Sequence, residues 1–293
     1  MGIAIALAFL MTLITASSNI VLKKGLHKIH PFTATYLSVA ISTLFLWLIT
    51  WVYVPRSSFS NTAGILIFVL IGTFAPTIVR TLTYYGIHTL GAGRSAPIRA
   101  LTPFFATFMA IVFLKERPRI GIFLGISLIV AGVALLSRKN QSDTATWKPR
   151  HLLYPFGAAV LAGCAANLRK FGLDMMPDPV FASTIAASSS LVIMSYYAFT
   201  KYQREITEIR HHGHELRLII IAASLTTIGE IVDLSALMYG KVSLVVPIFA
   251  VTPLSILFLS HIFLKKHERV TKEIVLAALL IILGIAIAIR NVS

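Results

Sequence analysis

Residues 96–103 read APIRALTP and residues 246–253 read VPIFAVTP, which is the same pattern 150 positions further along the chain. Four prolines hold equivalent places in the two copies: Pro97, Pro103, Pro247 and Pro253. A proline inside a helix lacks the N–H that bonds to the carbonyl four residues earlier. Each copy is therefore expected to break or bend a helix. If that helix lines a cavity, the freed backbone groups would be exposed there, whereas the simpler alternative is helix bending alone.

Weaker matches at nearly the same offset extend this pattern toward the beginning of each half. Asn19 and the residues after it match Asn167 and the residues after it, with one gap. The sequence around His30 matches the sequence around Asp178 in the same way. Matches in several separate places indicate a duplicated chain. We predict one repeat over residues 1–140 and a second over residues 150–293.

The composition points to a membrane protein. Hydrophobic residues make up 57% of the 293 residues and charged residues only 13%, against roughly 45–50% and 25% in soluble domains. Ten apolar runs are each close to the ~20 residues that a helix needs to cross a bilayer. They cover approximately residues 3–22, 33–54, 64–87, 94–114, 120–137, 152–172, 180–199, 217–239, 243–264 and 273–289. Run length and the lack of strict alternation favour helices over barrel strands.

The number of spans in each repeat predicts the symmetry. Five is an odd number, so the second repeat would enter the membrane in the sense opposite to the first. The predicted fold is an all-α polytopic membrane protein with ten transmembrane helices, arranged as two inverted five-helix repeats. Secondary transporters are often built this way, with the two halves rocking about a site near the middle of the membrane.

Several stretches of the first repeat resemble the EamA family of the drug/metabolite transporter superfamily. The resemblance is carried by residues 90–97 (LGAGRSAP), 102–106 (TPFFA) and 113–117 (FLKER), followed by Gly125 and Gly132. It implies a ten-helix metabolite exporter or permease that needs no cofactor and is not an enzyme. The second repeat departs from the pattern at Lys266, which stands where the first repeat has Glu116, so the helix end there is expected to be capped differently.

A charged residue inside a predicted span costs about 2.5–3.5 kcal/mol at the centre of the bilayer, and four of those in the spans are candidates for a site. Arg80 and Glu230 are equivalent positions of the two repeats, and Asp233 shares a helix face with Glu230. Arg99 lies between the prolines of the fourth span. An Arg in one half facing an acid in the other would form a central polar site. Two interpretations stay open, namely a buried pair that only fixes helix packing and a site for substrate or a proton.

Three uncharged polar residues are weaker candidates for the same site. Tyr84 is one helical turn after Arg80, and Asn19 and Asn167 are matched in the first helix of each repeat. Each asparagine is expected either to line the pore or to hydrogen-bond across helices in packing. For Tyr84, the alternative to a place in the site is an amphipathic side chain that only fills space.

Other chemistries are not favoured. The net charge of +15 would suggest nucleic acid in a soluble protein, but here the basic residues lie in the gaps between apolar runs. The single cysteine, Cys164, excludes a disulfide framework. The histidines at 211, 212 and 214 lie in a charged loop without an evident fourth ligand, so we expect no metal site. We also expect no clustered catalytic set and no nucleotide-binding segment.

The predicted function is secondary transport of a small metabolite, with Arg80 and Arg99 for an anionic group and Glu230 and Asp233 for a proton or an amine. Such a site would suit a zwitterion such as an amino acid. A lipid flippase or scramblase has the same architecture and is the alternative, and an integral-membrane enzyme is less favoured. The expected partners are a small-molecule substrate and the lipid bilayer, with either a monomer or a homodimer.

The basic residues also predict an orientation. Loops after odd-numbered spans carry 16 Lys and Arg, against 8 for the loops after even-numbered spans with the C-terminus. The positive-inside rule places the larger set in the cytoplasm and both termini outside. The family resemblance implies the reverse, with both termini in the cytoplasm. The expected location is the bacterial inner (plasma) membrane.

Overall fold

The computed structural model describes residues 1–26, 29–138, 148–208, 212–263 and 272–291. These residues form α-helices and connecting turns, with no β-strand among them. The helices are α1 (Gly2–Gly25), α2 (Pro31–Tyr53), α3 (Thr62–Phe74), α4 (Arg80–Leu90), α5 (Ala92–Arg99), α6 (Thr102–Phe113), α7 (Gly121–Arg138), α8 (Leu153–Met175), α9 (Pro179–Lys201), α10 (Gln203–Glu208), α11 (Gly213–Tyr239), α12 (Val242–Phe249), α13 (Thr252–Phe263) and α14 (Lys272–Arg290).

Seven helical segments of the described chain are long and apolar enough to cross a membrane. They are Gly2–Leu22, Pro31–Tyr53, Thr62–Leu90, Arg94–Phe113, Pro149–Met175, Pro179–Lys201 and Gly213–Tyr239. Three shorter apolar helices, Gly121–Leu136, Val242–Ile256 and Val275–Arg290, coincide with the remaining predicted runs. The protein is thus an integral, multi-pass membrane protein, and the number of ten spans stays a prediction.

Side-chain size is distributed as expected for helices that pack in lipid. Alanines such as Ala4, Ala34 and Ala158 are fully buried between helices, whereas Trp51 and Phe113 are 82% and 70% exposed. Small residues let helix backbones approach closely in a bilayer, where large apolar side chains can face lipid instead. Small side chains therefore occupy many of the close helix contacts, and larger ones such as Phe68 and Phe181 fill the space between helices.

The second helix of each half begins in the same way. The pairs His30-Pro31 and Asp178-Pro179 place a proline at the first position of α2 and α9. Proline is well tolerated there because the first N–H groups of a helix have no intrahelical partner. The Asp178 carboxylate additionally accepts a hydrogen bond from the Phe181 N–H at 3.0 Å.

The paired prolines divide two helical segments at matching positions. α5 gives way to α6, and α12 to α13, through a two-residue turn. The backbone angles at the first residue of the turn nearly coincide, with φ −64° and ψ −9° at Ala100 and φ −67° and ψ −7° at Ala250. The N–H of Leu101 donates to the carbonyl of Ile98, and the N–H of Val251 donates to the carbonyl of Ile248. Hydrogen bonds between residues three apart are those of a 3₁₀ turn, which is tighter than an α-helix. The helices are therefore tightened at this point rather than opened.

The Thr-Pro pairs supply what the prolines remove. The hydroxyl of Thr102 donates to the carbonyl of Arg99, and that of Thr252 donates to the carbonyl of Phe249, both at 2.7 Å. These are the carbonyls that lose an N–H partner at the second proline of each copy. A threonine hydroxyl is a common way to satisfy a carbonyl freed in a membrane helix. At these two carbonyls the expected exposure is thus replaced by an internal hydrogen bond.

A third interruption was not predicted from the sequence. Between α3 and α4, residues Ala75–Val79 form a π-helical turn with Pro76 at its beginning. The hydroxyl of Thr77 donates to the carbonyl of Gly72 at 2.8 Å, which is the carbonyl that Pro76 leaves without its usual donor. The equivalent part of the second half, within α11, is continuous. The two halves therefore differ at this position.

Equivalent helices of the two halves meet antiparallel. A side chain at Gly125 of α7 would collide with Gly284 of α14, whereas one at Gly132 would collide with Ala277 and Ile281. Later residues of α7 thus contact earlier residues of α14. Backbone groups approach closely here because both helices have glycine at the contact.

The second helices of the two halves, α2 and α9, repeat this arrangement. Trp47 donates from its indole N–H to the hydroxyl of Ser188 at 3.0 Å, and the hydroxyls of Thr50 and Thr184 are 2.7 Å apart. The later residue of α2 again contacts the earlier residue of α9. Both equivalent pairs are therefore antiparallel.

Glu116 connects the halves at the end of the α6 segment. Its carboxylate accepts hydrogen bonds from the N–H groups of Val242 and Ser243 at 2.9 and 3.1 Å, at the first turn of α12. A carboxylate at a helix N-terminus is stabilised both by these donors and by the helix dipole. The corresponding Lys266 lies outside the described residues, and no side chain caps α5 at its N-cap residue, Gly91.

Candidate functional site

An ion pair joins the two halves in the middle of the bundle. The guanidinium of Arg80, at the beginning of α4, pairs with the carboxylate of Glu230 on α11, and its other terminal nitrogen is 3.3 Å from the hydroxyl of Ser38. The two charged side chains are only 10% and 19% exposed. The structure thus brings together the two residues that the repeat offset equates.

The π-helical turn determines where Arg80 lies. It ends at Val79, so Arg80 is the first residue of the α-helix that follows. An extra residue in a helical turn rotates everything after it relative to a continuous helix. Such turns are frequent at functional sites. The turn after Pro76 therefore sets the direction in which α4 presents Arg80.

A second ion pair was missed by the sequence analysis. Arg169 on α8 donates to Asp233 on α11, with Nη1 and Oδ2 2.6 Å apart. Asp233 is 5% exposed, and its other oxygen, Oδ1, has no hydrogen-bond partner among the described residues. Glu230 and Asp233 are three residues apart on one helix face. α11 therefore presents two carboxylates, each paired with an arginine from a different helix.

The position of Arg169 corrects the charge assignment made from the sequence. Arg169 lies six residues before the end of α8, in the interior, and is not a loop charge. The count of eight basic residues for the even-numbered loops includes Arg169 and its neighbour Lys170, and both lie within α8. The available signal for Arg169 was its spacing of two residues from Asn167, a position that the repeat had already marked.

Tyr84 and Arg99 extend the polar region toward the other end of the bundle. Tyr84 is 6% exposed and lies within electrostatic range of Arg80, Glu230 and Arg99. Arg99 ends α5, and its Nε is buried without a hydrogen-bond partner among the described residues. The polar groups thus form a continuous series from Arg99 through Tyr84 and the central pair to Asp233.

The two matched asparagines have different surroundings. Asn167 is 5% exposed, and its amide donates to the carbonyls of Ala106 on α6 and Gly163 on α8, both at 2.9 Å. Asn19 is half-buried on α1. The hydrogen bond to Ala106 joins α8 to α6, as the packing interpretation expects, whereas the Oδ1 of Asn167 is buried without a hydrogen-bond partner among the described residues.

The pocket at the centre is small. Its free volume is about 20 Å³, which is room for roughly one water molecule. It is lined by Phe68, Ile71, Pro76, Arg169, Ser183, Ala186, Ala187, Glu230 and Leu234. The helices that carry the four paired prolines contribute no side chain to it. In this conformation the pocket beside Glu230 and Arg169 does not admit a molecule of metabolite size.

Metal-binding residues are not grouped in the part of the chain that the structure describes. Within it, no three His, Cys, Asp or Glu side chains lie together as a metal site would require. Of the histidines that the sequence analysis considered, His211 lies outside the described residues. The candidate site is therefore built from arginines, carboxylates and hydroxyls.

The family assignment follows from comparison with known proteins. The model of the EamA-like transporter family matches twice, over residues 2–138 and 150–290. The chain belongs to this family, whose members are transporters rather than enzymes. A solved crystal structure of a protein superposes with a TM-score of 0.76 at 14% identity, covering 99% of this chain and 97% of the other. That likeness concerns the fold alone. No functionally curated protein matches the sequence.

Proposed function

We propose that this protein is a secondary transporter of a small metabolite, an exporter or permease that works by alternating access. The observation that carries the proposal is the ion pair between Arg80 and Glu230. These residues come from equivalent positions of the two halves, and they meet inside the bundle beside the pocket. A pair that joins two halves can be broken by a ligand that offers either partner a better one.

The proposed architecture is ten spans in two inverted repeats. The antiparallel contacts of α7 with α14 and of α2 with α9 support it. If both members of a pair cross the membrane, an axis perpendicular to them lies in the membrane plane. Rocking of one half against the other would then exchange an inward-open for an outward-open state. A solved structure in which the axis lies along the membrane normal would contradict this arrangement.

The proposed location is the bacterial inner membrane, with both termini outside according to the basic residues of the loops. A fluorescent reporter fused to the C-terminus, of a kind that matures only in the cytoplasm, tests this orientation. We expect a dark fusion. Bright fluorescence would show that the family orientation applies.

Transport is tested by counterflow into proteoliposomes, with a panel of radiolabelled amino acids, organic acids, sugars and nucleosides. Glu230→Gln removes the charge while keeping the shape, and we expect it to lose pH-dependent transport. Arg80→Lys replaces a planar fork with a point charge, and we expect it to lose affinity. The matched control is Asp174→Asn, the same change on a carboxylate that is 56% exposed near the end of α8. Full pH-dependent transport by Glu230→Gln and by Asp233→Asn would assign both acids to packing.

Lipid movement is the alternative outcome. A closed lateral wall would favour a small polar substrate, and a groove open to lipid would favour a lipid headgroup. A dithionite quenching assay with fluorescent phospholipid in the same proteoliposomes measures scrambling directly. We expect no scrambling above protein-free liposomes, and rapid scrambling without counterflow would replace the proposed transport of metabolites.

A further inference from the structure

The charges inside the bundle do not balance. Arg80 pairs with Glu230 and Arg169 with Asp233, and nearer the end of α8 Lys170 pairs with Asp174 at 3.2 Å. No carboxylate among the described residues pairs with the remaining arginine, Arg99. Among the described residues, Arg99 is therefore an arginine of the bundle whose positive charge no carboxylate balances. A charge at this depth is costly unless it has a partner or a use.

Arg99 is deep in the segment and turned toward its neighbours. It is seven residues from the beginning of α5, about 10 Å along the helix. The electrostatic partner that the structure gives it is Tyr84 of α4, which is itself buried. A phenol can accept one of the five N–H groups of a guanidinium but cannot neutralise its charge. The arginine therefore keeps both its charge and unused donors.

A second orphan donor lies one turn earlier on the same helix. Ser95 is 1% exposed, and its hydroxyl has no hydrogen-bond partner among the described residues. It is four residues before Arg99 and hence on the same face. This face is turned toward α4, because a side chain at Gly86 would lie 3.0 Å from the Ser95 hydroxyl. Two buried donors on one face, one of them charged, are what an anion requires.

We propose that Arg99 is the binding residue for the anionic group of the substrate, and that the substrate is a small organic acid with one net negative charge. This inference rests on the proposed transport function and narrows its substrate class. A zwitterion would bring no net charge and would leave the excess positive charge in place. A monoanion makes the occupied site neutral, so the closed state with substrate carries no unpaired charge across the bilayer.

The geometry also assigns different tasks to the arginines. Arg80 and Arg169 already have carboxylate partners, so a substrate would have to displace those partners to bind there. Arg99 needs no displacement. Binding of an acid at Arg99 can therefore precede any change at the pair between Arg80 and Glu230, with Tyr84 in electrostatic contact with both.

The first test is counterflow with matched acids and amides, namely lactate against lactamide and glutamate against glutamine. Members of each pair have almost the same shape and differ in charge. We expect exchange of an acid and at least about tenfold slower exchange of its amide, since a charge-assisted hydrogen bond is lost. Arg99→Gln should remove this preference. Arg99→Lys should still exchange the acid faster than its amide, but at a lower rate than the wild-type protein. Equal exchange of acid and amide by the wild-type protein would overturn the inference and leave transport established.

The second test does not depend on transport. In neutral detergent without ligand, Arg99→Gln should raise the melting temperature because it removes an uncompensated charge, whereas Arg80→Gln should lower it because it leaves Glu230 unpaired. Lactate should stabilise the wild-type protein more than lactamide does, and Arg99→Gln should abolish the difference. If Arg99→Gln lowers the melting temperature as much as Arg80→Gln, then Arg99 is a paired structural cation and the inference fails. Stabilisation by phosphatidylglycerol but by neither acid would assign the charge to a lipid and would also overturn it.

Discussion

The pair between Arg80 and Glu230 can be tested as a closed thermodynamic cycle. The single variants Arg80→Gln and Glu230→Gln each leave one buried charge without its partner, and the double variant removes both. A fourth variant exchanges the two residues, as Arg80→Glu with Glu230→Arg. Because positions 80 and 230 are equivalent in the two halves, the exchanged variant should still bring one arginine and one carboxylate together at this contact.

The expected magnitudes follow from burial. Both side chains are less than one-fifth exposed, so breaking the pair by removing one partner should cost about 3–5 kcal/mol. Removing both should cost less than either single change, because two amides can hydrogen-bond without an unpaired charge. The coupling energy of the cycle should be about 3 kcal/mol or more in favour of the pair. The exchanged variant should recover most of the stability lost by either single variant.

The assay is reversible unfolding in mixed detergent micelles, followed by circular dichroism, with the free energy of unfolding taken for all five proteins. Equal expression and monodisperse elution are the conditions for comparison. Losses that simply add in the double variant would refute the reasoning, because additivity means that the two residues do not interact. An exchanged variant as unstable as the sum of the single losses would instead refute the symmetry argument.

Three further predictions concern the packing, the cap and the pH dependence. Gly125→Ala places a methyl group 2.6 Å from a backbone oxygen of α14 and should cost about 1–3 kcal/mol of unfolding free energy, whereas the control Gly157→Ala, with 3.4 Å of space, should cost nothing. Glu116→Ala removes the carboxylate that caps α12 and should cost about 1–2 kcal/mol in the same assay. Burial lowers the pKa of His30 from its ordinary value of 6.5, so the unfolded chain binds that proton first. The melting temperature should thus fall as the pH drops below about 6.5, and His30→Phe should flatten this dependence.

The helices themselves could be predicted because hydropathy and bilayer thickness are local constraints. The third apolar run, predicted over residues 64–87, corresponds to a segment observed over Thr62–Leu90. The contact of Arg80 with Glu230 is a long-range feature that was nevertheless suggested by the sequence. Duplication carries three-dimensional information, because equivalent positions of two symmetric halves lie at equal distances from the axis, and those close to the axis meet.

Contacts without such a symmetry relation could not be obtained in this way. Arg169 and Asp233 lie on different helices and are not equivalent, so no periodicity connects them. Because Arg169 lies near the end of an apolar run, hydropathy alone does not distinguish it from a loop charge. At Pro76, a proline predicts an interrupted helix, but the choice between a kink and a π-helical turn depends on whether a hydroxyl such as that of Thr77 reaches the freed carbonyl. That choice is made by side-chain geometry and not by hydropathy.

The small free volume at the centre has an electrical consequence. A cell membrane stores energy as a voltage, and each elementary charge that crosses 100 mV releases about 2.3 kcal/mol. An ion that travels through protein must keep most of its hydration shell or find substitutes for it. Room for a single water, beside arginines that already hold their carboxylates, offers a cation neither. At this pocket a cation therefore finds neither water enough nor substitute ligands, and the voltage has no discharge path there in this conformation.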